Sequence, residues 1–425
     1  MILSGGSGVS SVNWSTRLFV LLGLLVLIGG FDFLFSSGET SQGMDSTSNP
    51  KRLLSLLLVY GVALVVVLLQ PTRQAVSLAL NPIVLLVVGL PLVSVLWSLD
   101  PSLSIKRAAA HALTIVFLLM IASRLTLEEF CRALLIGVTL TALLSLALVV
   151  AAPGIGVAQT GSNAGAWQGS LLHKSNLGRV CVMGLVVALC FPRSGVTSDR
   201  WIRIVCASCC SVLLIGTQSR VAWMTFGVAL LVTVVFKAIQ LRTIDLWIRL
   251  SVLLVGLVCF SGLVFLFLED TIAVAGRDMT FTGRSSLWAA AISAARDQHP
   301  VLGAGFGAFW FDGNVEAIWY HILHWQGVPS HGHNGYLDAW LEMGWLGVVS
   351  LVVLVPVMTF TILCRLRDAE QGGYWFVLLV LHISFLSINL AGTISFKHSE
   401  IFWVCFLAPL FFRHQSAASI QLRIT

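Results

Sequence analysis

Residues 53–69 read LLSLLLVYGVALVVVLL, an uncharged run between Lys51-Arg52 and Gln70. At 1.5 Å per residue a helix of this length reaches about 25 Å, close to the hydrocarbon thickness of a bilayer. Inside hydrocarbon every backbone N–H and C=O must be satisfied within the protein, which a helix does for itself. Similar runs recur near 18–35, 82–97, 108–123, 130–152, 177–191, 201–216, 221–237, 248–268, 335–363, 374–390 and 399–412. The fold expected is therefore all-α: a polytopic membrane helix bundle of about twelve transmembrane helices, with residues 1–425 as a single integral membrane domain. The first run is not expected to be a cleaved signal, since Arg17 precedes it and no small-residue cleavage site follows its Phe-rich end.

Composition agrees. Hydrophobic residues make up 57% of the chain and charged residues only 10%, against about a quarter charged in soluble domains. Mean hydropathy is +0.92. The net charge of +6 is what Lys and Arg at helix ends supply, so no nucleic-acid partner is read from it. The nine cysteines lie within or beside apolar runs and read as small hydrophobes rather than a disulfide framework or metal site.

With the N-terminus in the cytoplasm, 14 of the 25 Lys and Arg residues fall on the inner side. The outer side keeps Lys51, Arg52, Lys106, Arg107, Lys174, Arg179, Arg220, Arg277, Arg284, Arg296 and Lys397. That bias has the right sign and is weak. Several outer cations therefore need a reason other than topology, and anion binding supplies one.

The longest outer segment, 269–332, reads as a large loop carrying short helices. A helix is expected over 285–297 from the spacing of Leu287, Ala291 and Ala294-Ala295, ended by His299-Pro300. Gly303, Gly305 and Gly307 permit a tight turn. The aromatics Phe306, Phe309, Trp310, Phe311, Trp319, Tyr320 and Trp325 are expected to lie on the membrane surface. Seven of the ten histidines are outer: His173, His299, His321, His324, His331, His333 and His398. The densest group is H-G-H-N-G-Y, 331–336, at the start of the tenth run. The positive end of that helix favours a neutral imidazole, the form that accepts a proton.

His333-Asn334, nine residues, Gly344, two residues and Gly347 match the signature of the O-antigen ligase and O-antigen polymerase superfamily. T-G-R-S-S-L-W (282–288) with H-P-V-L-G-A-G-F-G-A-F (299–309) resembles that family's large periplasmic loop. G-T-Q-S-R (216–220) resembles its other arginine-bearing turn, and H-K-S-N-L-G (173–178) resembles a segment of the exopolysaccharide polymerase branch. The resemblance runs from about residue 160 onward; the first 150 residues match in hydropathy alone.

The resemblance implies an inner-membrane glycosyltransferase whose active site faces the periplasm. An acceptor sugar hydroxyl would attack the anomeric carbon of a glycan carried on undecaprenyl diphosphate, with inversion. His333 would be the catalytic base. Arg220 and Arg284, with Lys174 beside them, would hold the pyrophosphate, because cations neutralise the leaving group and the planar guanidinium fork pairs with phosphate oxygens. His331, Asn334 and His173 would orient the base or bind acceptor hydroxyls. No cofactor is expected. The outer loops lack an Asp-x-Asp, so metal independence is expected too. Implied partners are the lipid-linked glycan donor, a glycan or lipid-linked acceptor, membrane lipids, and other polysaccharide assembly and export proteins. Asp338 and Glu342 would tie the helix to arginines or orient the site; Gly344 and Gly347 would allow close helix packing.

Three activities fit. A polymerase joins one lipid-linked oligosaccharide to another, and the 173–178 segment favours it. An O-antigen ligase passes the finished polymer to a lipopolysaccharide core. A flippase for the same lipid-linked sugar fits the many spans, but no two similar halves are seen and the polar groups gather on one side. No H-E-x-x-H or acidic pair at protease spacing is present.

Overall fold

A computed structural model describes residues 14–35, 50–193, 197–240, 284–298, 301–310 and 330–413. Over these residues the chain is helical, with no strand and one isolated bridge between Val157 and Trp167. In chain order the helices are α1 (Trp14–Ile28), α2 (Asp32–Phe35), α3 (Pro50–Leu69), α4 (Arg73–Ala79), α5 (Pro82–Val93), α6 (Pro101–Arg124), α7 (Leu127–Ala151) and α8 (Pro153–Gly156). They continue as α9 (Lys174–Cys190), α10 (Thr197–Thr217), α11 (Arg220–Gln240), α12 (Arg284–Gln298), α13 (Gly335–Arg365), α14 (Gly372–Asn389) and α15 (Ile401–Phe412).

Many helix starts are local chemistry. Thr126 and Glu129 form a reciprocal capping box on α7. Asp100 caps α6 and Asn81 caps α5, each followed by a proline at the first helical position. Pro82 also keeps Asn81 out of the helical region, so α4 and α5 meet at a 55° bend.

Among the described residues seven helices are long and apolar enough to cross a membrane: α3, α6, α7, α10, α11, α13 and α14. The bent pair α4–α5 makes eight if it is one broken span. The runs expected at 18–35, 177–191 and 399–412 fold as shorter helices of 15, 17 and 12 residues. Gly29, at φ +88°, breaks the first of them before Asp32; the cap from Glu400 sets the start of the last. The run at 248–268 lies outside the described residues. An all-α polytopic bundle stands; the number twelve is not reached by this criterion.

α9 packs on α7, α10, α11 and α14, and α14 also packs on α13 and α15, so these two helices form the centre. α3 is peripheral and turns Leu54, Leu57, Leu58 and Val65 outward. α13 does the same with Val349, Val352 and Phe360. Apolar faces of this extent suit lipid rather than water.

Ion pairs fall at two ends. At one, Arg17 meets Glu129 at 2.6 Å and Arg132 meets Asp199 at 2.8 Å. At the other, Arg52 meets Asp32 at 3.2 Å and Arg179 meets Glu400 at 3.8 Å. Burial holds the Asp32 carboxyl up to about 6, although Arg52 works against it.

Candidate active site

The H-G-H-N turn, 331–334, is fastened at its middle. Gly332 donates its N–H to both carboxylate oxygens of Asp338, each at 3.0 Å, and its carbonyl accepts from Trp288 Nε1 at 2.7 Å. Asp338 is buried, and it also accepts from Trp310 Nε1 at 2.9 Å and from the Thr393 hydroxyl. Of the two roles expected for Asp338, the hydrogen bonds fit orientation of the site: among the described residues its donors are neutral and include the loop between the two histidines, while the charge of Lys397 also acts on it. His331 and His333 flank that anchor with ring centroids 4.1 Å apart. Asn334 caps α13, its Oδ1 accepting from Tyr336 N at 3.0 Å and Leu337 N at 3.2 Å. It therefore orients the turn by fixing where the helix begins.

Around this turn the chain gathers cations from distant segments. Lys174 and Arg179 lie on the first turns of α9, Arg220 begins α11, and Lys397 lies on the connection between α14 and α15. His173 caps α9, its Nδ1 accepting from Ser175 N at 3.3 Å. Surrounding protein and the charges of Arg179, Lys174 and Lys397 hold this imidazole down to about 4. Burial lowers His331 well below the usual histidine range, and His333, Lys397, Arg179 and His173 push the same way. His331 and His173 are consequently neutral bases at physiological pH. The field of Arg220 reaches Lys174.

The sequence-expected residues His333, His331, Asn334, His173, Lys174 and Arg220 thus share one end of the bundle. Arg284 begins α12, one helical turn before Trp288, which binds Gly332; its side chain lies outside the described residues. Of the other outer histidines, His398 is buried, and His299, His321 and His324 lie outside the described residues. Arg179 and Lys397 were visible in the sequence only as outer cations. Nothing in their spacing foretold that their charges act on His331, because Arg179 lies more than 150 residues before it and Lys397 more than 60 residues after it.

Backbone conformation singles out the same place. Among the described residues the non-glycine positions with positive φ are Leu172, Gln218, His333, Phe396 and Ser399. Each is a site residue or stands within two positions of His173, Arg220, Lys397 or Glu400. Such conformations cost of order 1–3 kcal/mol apiece and cluster at functional sites.

A second anchor lies at Val301–Trp310. Gly303, Gly305 and Gly307 all adopt positive φ, as a tight turn requires. The segment pairs by backbone with α13 where that helix breaks at Gly344 (φ 60°, ψ −152°). Ala304 N donates to Leu341 O at 2.9 Å, Gly305 N to Glu342 O at 2.8 Å, and Trp345 N to Val301 O at 3.0 Å. Gly344 therefore admits a loop, not a neighbouring helix: a Cβ there would stand 1.9 Å from Val301 O. Gly347 closes against Ala339 O of its own helix across the break. The aromatics differ from expectation too. Phe306, Phe309 and Trp310 are buried, and the latter two pack with Leu287, Ala291 and Leu341. Phe311, Trp319, Tyr320 and Trp325 lie outside the described residues. The helix expected over 285–297 is present as α12, with Leu287, Ala291 and Ala295 inward.

Residues 205–352 match the family model described as O-antigen ligase. The matched segment contains Arg220, Arg284, His331, His333, Asn334, Asp338 and Gly344; His173, Lys174 and Arg179 precede it and Lys397 follows it. The chain is 26% identical over 316 residues to the exopolysaccharide production protein ExoQ of Rhizobium meliloti, covering 69% of this chain and 70% of that one. It is also 26% identical over 109 residues to a Rickettsia conorii protein provisionally named a polysaccharide ligase, and over 107 residues to one from Rickettsia felis. Those two matches cover 25% of each chain.

Proposed function

We propose that this protein is a membrane glycosyltransferase that polymerises undecaprenyl-diphosphate-linked oligosaccharide repeats at the periplasmic face of the bacterial inner membrane. The observation that carries this reading is the convergence of a strained, anchored His331–His333 turn with cations from α9, α11 and the α14–α15 connection. Residues 1–425 act as one integral membrane unit, with 269–332 as its outer loop. The length of the ExoQ match, against a quarter of each chain for the ligase-named relatives, favours a polymer-forming reaction.

In this reaction the acceptor hydroxyl oxygen attacks the anomeric carbon, and His333 takes the hydroxyl proton. The bond from that carbon to the diphosphate oxygen breaks, and undecaprenyl diphosphate leaves with the electron pair. Arg220, Arg284 and Lys174 neutralise the departing charge without a metal ion. A single displacement of this kind inverts the anomeric centre. His331, held neutral, adds no competing charge beside the base; with His173 and Asn334 it supports the acceptor side.

A ligase reading draws on the match of residues 205–352 to the O-antigen ligase family model, since donor, base and cations would be the same and only the acceptor would change. The test is chain growth by purified protein given undecaprenyl-diphosphate oligosaccharide as the only sugar, in chelator. Growth by wild type that is lost in His333→Ala and Arg220→Ala establishes the metal-free polymerase. Growth that begins only when lipopolysaccharide core is added makes the enzyme a ligase. Transport of the lipid-linked sugar across sealed vesicles, with no product from either acceptor, makes the protein a flippase instead.

A further inference from the structure

The cations of the site form two pairs. Arg220 and Lys174 are one, and the field of Arg220 reaches Lys174. Arg179 and Lys397 are the other, lying outside the matched O-antigen ligase segment. The connection that carries Lys397 is tied to the H-G-H-N turn on both sides of His333. Thr393 shares the Asp338 carboxylate with Gly332, and the Ser395 hydroxyl donates to Gly335 O at 3.0 Å. The Asn389 side chain accepts from Ile394 N at 3.3 Å and Ser395 N at 3.1 Å. Beyond Lys397, Ser399 is held by Tyr60 at 2.9 Å and by Thr114 at 3.2 Å. Lys397 stands between Phe396 (φ 53°) and, two positions on, Ser399 (φ 57°). Arg179 reaches the same connection through Glu400.

This ammonium is half-buried, and among the described residues it makes no hydrogen bond or ion pair. Cations at the opposite end are matched to oxygens: Arg132 to Asp199, and Arg203 to Ala188 O at 2.8 Å. The buried Asp338 carboxylate feels this charge, but among the described residues its oxygens accept from Gly332, Trp310 and Thr393, which leaves the ammonium's own N–H donors to an incoming anion. Which anion follows from position. A base that takes the acceptor's proton adjoins the acceptor sugar, and in an inverting displacement the leaving group departs from the opposite face. The charges of Lys397 and Arg179 act on both His331 and His173, whereas that of Lys174 acts on His173.

We propose that Lys397, supported by Arg179, binds an acidic substituent, carboxylate or phosphate, on the acceptor saccharide, so that the enzyme selects an anionic acceptor. This rests on the transferase reading above, in which His333 marks the acceptor side. The donor diphosphate keeps Arg220, Arg284 and Lys174.

Binding of three soluble probes to purified full-length protein, followed by ligand-observed NMR, tests it without requiring turnover: methyl glucuronide, glucose 6-phosphate and methyl glucoside. At least one acidic probe should bind about tenfold more tightly than the neutral one, and the better of the two identifies carboxylate or phosphate. Lys397→Met should bring the acidic probes to the level of methyl glucoside, and Lys397→Arg should restore the difference. Undecaprenyl diphosphate affinity should stay unchanged in both, which also reports that they are folded. Equal binding of acidic and neutral sugars to wild type overturns the proposal. So does a Lys397→Met variant that loses undecaprenyl diphosphate while keeping its preference, because the pair then belongs to the donor. Selective acid binding by a protein that forms no polymer and no ligation product would leave the anion site standing and refute the transferase reading.

Discussion

Asp338 sits within one helical turn of Asn334 and receives hydrogen bonds from Gly332, Trp310 and Thr393, which belong to three separate segments. A carboxylate can accept from all three at once because it has two oxygens and no proton to turn toward them. An amide fits less well: it has one acceptor oxygen, and its NH2 would face the Gly332 N–H even if the Thr393 hydroxyl oxygen accepted from it. Asp338→Asn should therefore loosen the His331–His333 turn while leaving the cations in position. Transfer should slow on the order of a hundredfold in kcat, with donor KM changed much less. Steady-state kinetics with undecaprenyl-diphosphate oligosaccharide provides the check. A parallel rise in KM would mean that Asp338 holds the whole fold and not the turn. His333 needs such support because its own backbone is in the left-handed region.

At the level of elements, α13 is two helical pieces joined at Gly344, and the break exposes Leu341 and Glu342 carbonyls that the Val301–Gly305 backbone then fills. The loop thereby becomes part of the helix's hydrogen bonding. It carries Phe306, Phe309 and Trp310 into the interior, and Trp310 returns to Asp338. Gly344→Ala meets both a conformation reserved for glycine and the Val301 carbonyl. It should cost about 3 kcal/mol or more, read as a lower thermal midpoint in detergent and faster proteolysis within 301–310. Unchanged protease resistance would show that the loop is held by other means. The glycine spacing of the His333–Gly347 motif thus records a docking site for a loop.

The whole molecule is organised by charge at its two ends and by apolar surface between them. Arg17, Arg132 and Arg203 find their oxygens at one end; Arg179, Lys397 and the histidines gather at the other. If the second end faces the periplasm, cysteine accessibility should divide along the same line. Ala164→Cys, on the exposed loop before His173, should react with a membrane-impermeant maleimide in cells whose outer membrane alone is opened. Native Cys364, exposed beside Arg365, should react only after the inner membrane is breached. The reverse pattern would invert the topology and remove the periplasmic site.

Uncharged runs such as 53–69 determine by themselves that the chain is a membrane helix bundle, because satisfying a backbone in hydrocarbon is a local requirement. The capping residues Thr126, Asp100 and Asn81 fix helix starts for the same reason, as each cap reaches only two or three residues along the chain. The periodicity of Leu287, Ala291 and Ala295 is enough for α12, and the His333–Gly347 motif marks the turn at which α13 begins. Folding in three dimensions decided the rest. Hydropathy does not separate an aromatic lying on a membrane from one buried behind a loop, so Phe309 and Trp310 were read on the wrong side. Residue spacing does not tell a glycine that packs helices from one that breaks a helix, as Gly344 does. No local pattern joins Lys397 and Arg179 to His331, since electrostatic neighbours are set by how α9, α13 and the α14–α15 connection pack, not by their distance along the chain.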